Sequence, residues 1–587
     1  MTENFAFKWR LLEAWHQPGG VALHSRARNI FTWHAFRSIG PSTELGHYIE
    51  EIRNRGFNGL VLYGPRFIAQ VEDRPNEHRI LSQFLASRDI GLFIRRNWSE
   101  PEGSSEWVAQ TNRMTGAEGY GHTRVSTKLC PYADETRSYW ADRIETDFEI
   151  IPDLAGYRLE GSEYDPLGGA PWMCNCRQCS ARTPRERTRD AIRLIAELLE
   201  PHRGTVVWMN CEDDPWGQRQ ETHYLEAMTG EIPLNAFVAT KQHYWDFHPR
   251  WPRHALYDTI TKDADGHSPY MSSIQQPGEY QGAHEFPWCN VDEWSGAFRD
   301  MSEAGMQGIL VVAQVHDEGW DHPLNMVNWA AITRYMRDPD SDPHQIKLSW
   351  AREEFGPDAA PTVVDVLDNV TEAARGVFEF DALWTACHSR MANLRYMDSH
   401  LCGPLRQTPR RKGMMGLALP LDMYEPGRAA EISKDPRVRL VFNREKITPE
   451  LKVQAMEQKQ RAVVLMQTSV DLWRGLEGKI NPDSYERILN GLRGNRDDTI
   501  VLLHSMDLYM NWKLGSLTEV KIDSALHACK DLHGIIVPDP LTSSPEEATP
   551  GISPVSLKTF AEELRREITE PWIESYWQKH PLGVGVF

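Results

Sequence analysis

The feature that most constrains this chain is an alternation, kept up over the first 340 residues, between short apolar runs and stretches of helical periodicity. It is plainest at 46–63, where Tyr48, Ile49 and Ile52 share one helix face, Gly56 ends the helix and FNGLVLY follows as a buried strand. Apolar runs of this kind occur at Ile30–Trp33, Phe57–Tyr63, Ile90–Arg95, Gly156–Glu160, Thr205–Asn210, Phe237–Lys241, Tyr270–Gln275 and Gly308–Gln314. Helical stretches separate several of them, among them 186–200, with Ile192, Ile195, Leu198 and Leu199 on one face, and 292–304. Eight strands with intervening helices spread over about 290 residues predict an α/β fold, a (β/α)8 TIM barrel, for which about 250 residues is typical. A doubly wound sheet alternates in a similar way, but no strand here is followed by the G-x-G-x-x-G turn of its nucleotide-binding version.

Beyond residue 340 the period changes. Val363, Leu367, Val370, Ala374 and Val377 form a helical stripe, 449–477 reads as one long helix, and further helices are expected near 484–494, 497–512, 518–532 and 555–579. The expected organisation is an N-terminal extension (1–28), a catalytic barrel (29–342) and an all-α C-terminal domain (343–587), with the Pro- and Ser-rich 536–555 as a surface loop. A net charge of −19 without Lys/Arg clusters argues against nucleic acid or an anionic membrane as partner. No apolar stretch approaches the ~18 residues of a membrane span, and the N-terminus lacks the basic and apolar regions of a signal peptide, so a cytoplasmic protein is expected.

In a barrel the chemistry gathers at the C-terminal ends of the strands. The residues at or after each run are Trp33 and His34, then Arg95, Arg96 and Trp98, then Arg158, Glu160 and Glu163. Later runs lead to Lys241 and Asp246, to Gln275 and Glu279, and to His316 and Trp320. Carboxylates from different strands can serve as general acid and base in glycoside hydrolysis, and indoles among them offer sugar platforms.

These same segments resemble the family-67 alpha-glucuronidases. The family's fourth-strand signature, roughly I-P-D-F-G-G-F-x-x-K-A-D-S-E-G-x-P-G-P, is similar to 151–169, IPDLAGYRLEGSEYDPLGG, with one residue fewer before the Ser-Glu pair. A second segment, roughly K-N-G-P-I-D-F-Q, resembles 241–248, KQHYWDFH, and a third, roughly E-L-Q-I-T-Q-E-Y-x-G, resembles 273–282, SIQQPGEYQG. A fourth runs from HDEGW at 316–320 into the helical half. The resemblance implies an exo-acting, inverting glycosidase with Glu163 as general acid and Asp246 as base. It also implies an oligosaccharide substrate ending in a uronic sugar, and a homodimer through the helical domain. Three departures stand out. Ser273 replaces the family's second base carboxylate, which leaves Glu279 as helper to Asp246. Leu159 or Glu160 replaces the family's lysine, so that Arg95, Arg96, Arg158 or Lys241 would have to hold the sugar carboxylate. No counterpart of the family's N-terminal β-sandwich is expected within residues 1–587, because the barrel is expected to begin within about 30 residues of the start. Two alternatives stay open: a lyase or hydrolase of a modified glycoside on the same barrel, and a non-catalytic carbohydrate-binding relative.

No cofactor is required for this chemistry. Cys174, Cys176 and Cys179 (CNCRQC), with Cys130 in KLCPY, are nevertheless spaced so that folding two loops together makes a structural zinc site. Reduced thiols and a disulfide are the other two readings of the same four residues.

Overall fold

The computed structural model describes residues 5–15, 43–63, 75–98, 130–160, 176–182, 184–210, 232–241, 268–275, 286–313, 323–380, short pieces of 383–398, 447–532 and 556–575 except 574. Eight strands close a parallel barrel in chain order: β1 (Trp9–Trp15), β2 (Gly59–Tyr63), β3 (Gly91–Asn97), β4 (Leu154–Glu160), β5 (Thr205–Asn210), β6 (Ala236–Lys241), β7 (Ser268–Gln275) and β8 (Met306–Ala313). β1 pairs with β8 to complete the ring, Leu11 lying opposite Leu310. Around it stand α1 (Thr43–Asn54), α2 (Pro75–Ala86), α3 (Asp134–Ile150), the single turn α4 (Arg177–Ser180), α5 (Pro184–Leu199), α6 (Val291–Glu303) and α7 (Met326–Arg337).

The barrel begins earlier than the sequence suggests. Its first strand is Trp9–Trp15, inside what reads as an N-terminal extension, so the boundaries 1–28 and 29–342 are corrected. The apolar pattern of WRLLEAW is broken by Glu13, which lies inside the barrel because it is ion-paired there. The expected strand at Ile30–Trp33 lies outside the described residues.

Alternation along each strand splits the apolar residues into two layers. Leu11, Val61, Phe93, Val207, Met209, Phe237, Ala239, Met271 and Leu310 fill the barrel, with the Trp9 ring set edge-on against Phe93 and Phe237. Leu12, Leu60, Ile94, Leu159, Trp208 and Val311 face outward into the layer under the helices. One strand shifts phase. Between β3 and β4 the register slips, with Leu92 opposite Leu154 but Phe93 opposite Gly156, so that Ala155 is an extra residue. This bulge turns Tyr157 outward and Arg158 inward, the reverse of unbroken alternation from Leu154.

The C-terminal region is helical as expected: α8 (Pro343–Phe355), α9 (Ala360–Phe378), α10 (Pro449–Arg474), α11 (Pro482–Lys513), α12 (Glu519–Ala528) and α13 (Leu557–Thr569). Asp342, Thr448 and Asn481 each cap a helix by accepting an amide hydrogen bond, and a proline follows each as the first helical residue. The stripe Val363, Leu367, Val370, Ala374 and Val377 is buried where α9 packs on α10. The two helices expected at 484–494 and 497–512 are one continuous α11. Gly494 weakens a helix by only about 1 kcal/mol, and packing of Ile488, Leu489, Leu492, Val501 and Leu502 overrides it. Barrel and helical region share one apolar core, and Lys347 of α8 bridges Asp292 of α6 and Asp368 of α9 at 2.9 and 2.6 Å. Among the described residues no helix is long and apolar enough to cross a membrane. The expected loop 536–555 lies outside them.

Gly156 is what allows the bulge. Its φ is +148°, and a Cβ there would sit 1.8 Å from the Thr205 carbonyl oxygen, which is rigid backbone. Gly156→Ala is therefore expected to cost more than about 2 kcal/mol, read as a lowered urea midpoint, and an unchanged midpoint would show that β4 runs unbulged.

Candidate active site

The upper part of the barrel interior is ionic. Glu13 on β1 accepts a hydrogen bond from Arg95 on β3 at 2.6 Å and lies 3.0 Å from the Arg158 guanidinium on β4. All three side chains are essentially inaccessible to solvent, at 2% exposure or less. Arg95 reaches the interior because it follows inward-facing Phe93 by two positions, and Arg158 because the bulge brings it opposite Arg95. Desolvating each ion costs several kcal/mol, so this layer is stable only as a paired unit. The apolar floor of Trp9, Phe93 and Phe237 lies toward the opposite, N-terminal end of the same strands.

A second ionic cluster lies outside the barrel. Asp147 on α3 holds Arg96 through contacts of 2.6 and 2.9 Å and accepts the Tyr157 hydroxyl at 2.5 Å, all three residues being buried. Burial pulls the Arg96 guanidinium down, but the charge of Asp147 more than offsets it and the pKa is raised. Burial raises the Tyr157 phenol well above its ordinary value, and Asp147 adds to the rise.

The sequence-derived site residues separate on this frame. Arg95 and Arg158 come together inside the barrel, with Glu13 as a partner that sequence reasoning missed. Its one signal was a period of two, Trp9, Leu11 and Glu13 sharing a face. Arg96 and Trp98 are corrected: both point outward from the barrel and are buried against α3. Arg96 ties β3 to α3. Trp98 stacks on Trp140 of α3 at 5.9 Å and meets Trp208 at 5.7 Å, which makes it core. Glu160, Lys241 and Gln275 are the last residues of β4, β6 and β7, and Lys241 pairs in register with Ser273. Trp33, His34, Glu163, Asp246, Glu279, His316 and Trp320 lie outside the described residues, as does Cys174. Cys130, Cys176 and Cys179 do come together.

No family model matches the chain. Its sequence is similar to an alpha-glucuronidase of Hypocrea jecorina, 24% identical over 268 residues, which is 40% of this chain and 29% of that protein. It is also similar to a probable alpha-glucuronidase A of Aspergillus terreus, 22% identical over 287 residues, 44% of this chain and 31% of the relative. The chain thus matches about a third of each relative's length, and it resembles them as a divergent glycoside-hydrolase-like protein. Among solved structures, a GH138 enzyme targeting pectin rhamnogalacturonan II superposes with a TM-score of 0.56 at 12% identity, over 99% of this chain and 69% of that one. That likeness concerns the fold and is consistent with the (β/α)8 barrel.

Removing one partner of a buried pair leaves charge uncompensated. Glu13→Gln and Asp147→Asn are each expected to lose about 3–5 kcal/mol in urea unfolding, and a loss under about 1 kcal/mol in either would contradict the pairing described for it.

Proposed function

We propose that this chain is an exo-acting glycoside hydrolase of the alpha-glucuronidase kind, releasing a terminal uronic sugar from oligosaccharides at the C-terminal mouth of its barrel. The observation that carries this reading is the ionic layer of Glu13, Arg95 and Arg158 at that end, in a chain similar in sequence to alpha-glucuronidases. A barrel that needed only stability would fill this level with apolar side chains, as it does below. Desolvated charges at the functional end of a fold instead mark a site. Arg95 and Arg158 are closed to solvent and paired with Glu13, so they would favour a sugar carboxylate from beneath the mouth, through the net positive charge of the cluster, rather than by direct contact.

Glu163 follows the end of β4 by three positions, Asp246 the end of β6 by five, and Glu279 the end of β7 by four. In the proposed reaction Glu163, protonated at working pH, gives its proton to the glycosidic oxygen. Asp246, ionised and helped by Glu279, takes a proton from water as that water attacks the anomeric carbon from the opposite face. Inversion in one step requires the two carboxyl groups about 6.5–9.5 Å apart. Glu160, Lys241 and Gln275, with Trp33, His34, His316 and Trp320, would line the sugar subsite.

The test is turnover of aldouronic oligosaccharides and a panel of 4-nitrophenyl glycosides by wild type, Glu163→Gln and Asp246→Asn. Wild type should release the uronic acid, and each variant should lose at least about 10²–10⁴-fold in rate while keeping its urea midpoint. Release of a product with an unsaturated ring, seen by its ultraviolet absorption, would replace hydrolysis by elimination. Sugar binding without turnover would overturn both.

A further inference from the structure

We infer that Cys130, Cys176 and Cys179 form a structural zinc centre that clips the chain leaving β3 to the chain leaving β4. Cys130 precedes α3, Cys176 caps the turn α4 and Cys179 lies within it, so Cys130 is separated from the other two by 46 and 49 residues. Cys130 Sγ lies 3.6 Å from Cys176 Sγ and 3.6 Å from Cys179 Sγ, and all three sulfurs fall within 4.8 Å of one another. Zinc–sulfur bonds of about 2.3 Å in a tetrahedron place neighbouring sulfurs about 3.8 Å apart, close to this spacing. A disulfide would hold one pair near 2.05 Å and leave the third sulfur aside.

The surroundings need such a clip. These residues form a small cluster of their own, in which Cys130 and Cys179 are the buried members and Tyr132, Ala133 and Cys176 pack against them. So little apolar surface gives the segments carrying Cys130 and Cys176–Cys179 only a weak hold on each other, which a metal would strengthen. A few polar contacts orient the chain around the sulfurs without supplying a core. The Cys179 amide donates to Cys176 Sγ at 3.4 Å. The Tyr132 hydroxyl donates to Asp190 of α5 at 2.7 Å, and the Arg182 guanidinium lies 4.2 Å from the Tyr132 ring centroid. Three thiolates select a soft ion, and one further ligand would complete the four-coordinate set of a structural zinc. Each thiol binds as thiolate and gives its proton to solvent, so affinity rises with pH. The fourth ligand is not among the described residues. The clip spans the segment 161–175, which carries Glu163, and its role is positioning rather than catalysis.

Elemental analysis of the full chain, purified without chelator, should find about one zinc per chain. Cys130→Ser and Cys179→Ser should each reduce it to a trace, while Cys529→Ser, whose thiol is buried in the helical region, should keep it. In case the first two variants fail to fold, wild type titrated with a mercurial reagent should release zinc to a metallochromic dye in step with the thiols modified. Zinc-free protein whose thiols react freely, or whose mass is two hydrogens below that of the reduced chain, would overturn the proposal.

Discussion

The arrangement of the barrel depends on one buried carboxylate. Glu13 is the anion shared by the Arg95 and Arg158 ion pairs, and it joins strands that are not neighbours, β1 with β3 and β4. Pairing makes it feasible to place guanidinium groups inside a barrel whose floor is apolar. It also fixes which way the inner face of β3 and β4 looks. An ionic layer here and an apolar one beneath give the two ends of the same barrel different chemistry, which is how this fold separates function from stability.

The outer faces of the same strands carry the opposite assignment. Arg96 and Trp98 alternate with Arg95 and are taken up by Asp147 and Trp140 of α3. Tyr157, turned outward by the Gly156 bulge, completes the lock by donating to Asp147. Two charge clusters a strand's thickness apart thus hold β3 and β4 from inside and outside. The bulge between them is a device that re-aims Arg158, and only glycine can occupy its tight point against Thr205.

Much of this fold was legible in the sequence. Seven apolar runs between 57 and 314 correspond to β2 through β8 with ends shifted by a few residues, because parallel strands covered on both faces read as near-continuous apolar runs. The strand that escaped is β1, and the reason is instructive. Glu13 interrupts its apolar pattern, so the residue that organises the ionic layer is also the one that hid the strand. Strand ends located Arg95, Arg96, Trp98 and Arg158 but not their direction. Parity needs an inward reference such as Phe93, and for β4 it needs the bulge, which leaves no mark beyond the Ala155–Gly156 pair. Gly494 misled in the other direction, since propensity suggested a break where helix packing allows none. The spacing of Cys176 and Cys179, three positions apart, was legible, whereas Cys130 joins them from 46 residues away because α3 packs on α5, which spacing alone does not show.

The central claim, hydrolysis of a terminal uronic sugar at the ionic end of the barrel, is tested most directly by following the enzyme with an aldouronic oligosaccharide by proton NMR from the first turnovers. The account predicts free uronic acid appearing first as the anomer opposite to that of the linkage, then mutarotating to equilibrium. Release of the uronic acid with retained configuration would contradict the single-step mechanism. An oligosaccharide that stays intact would contradict the assignment itself.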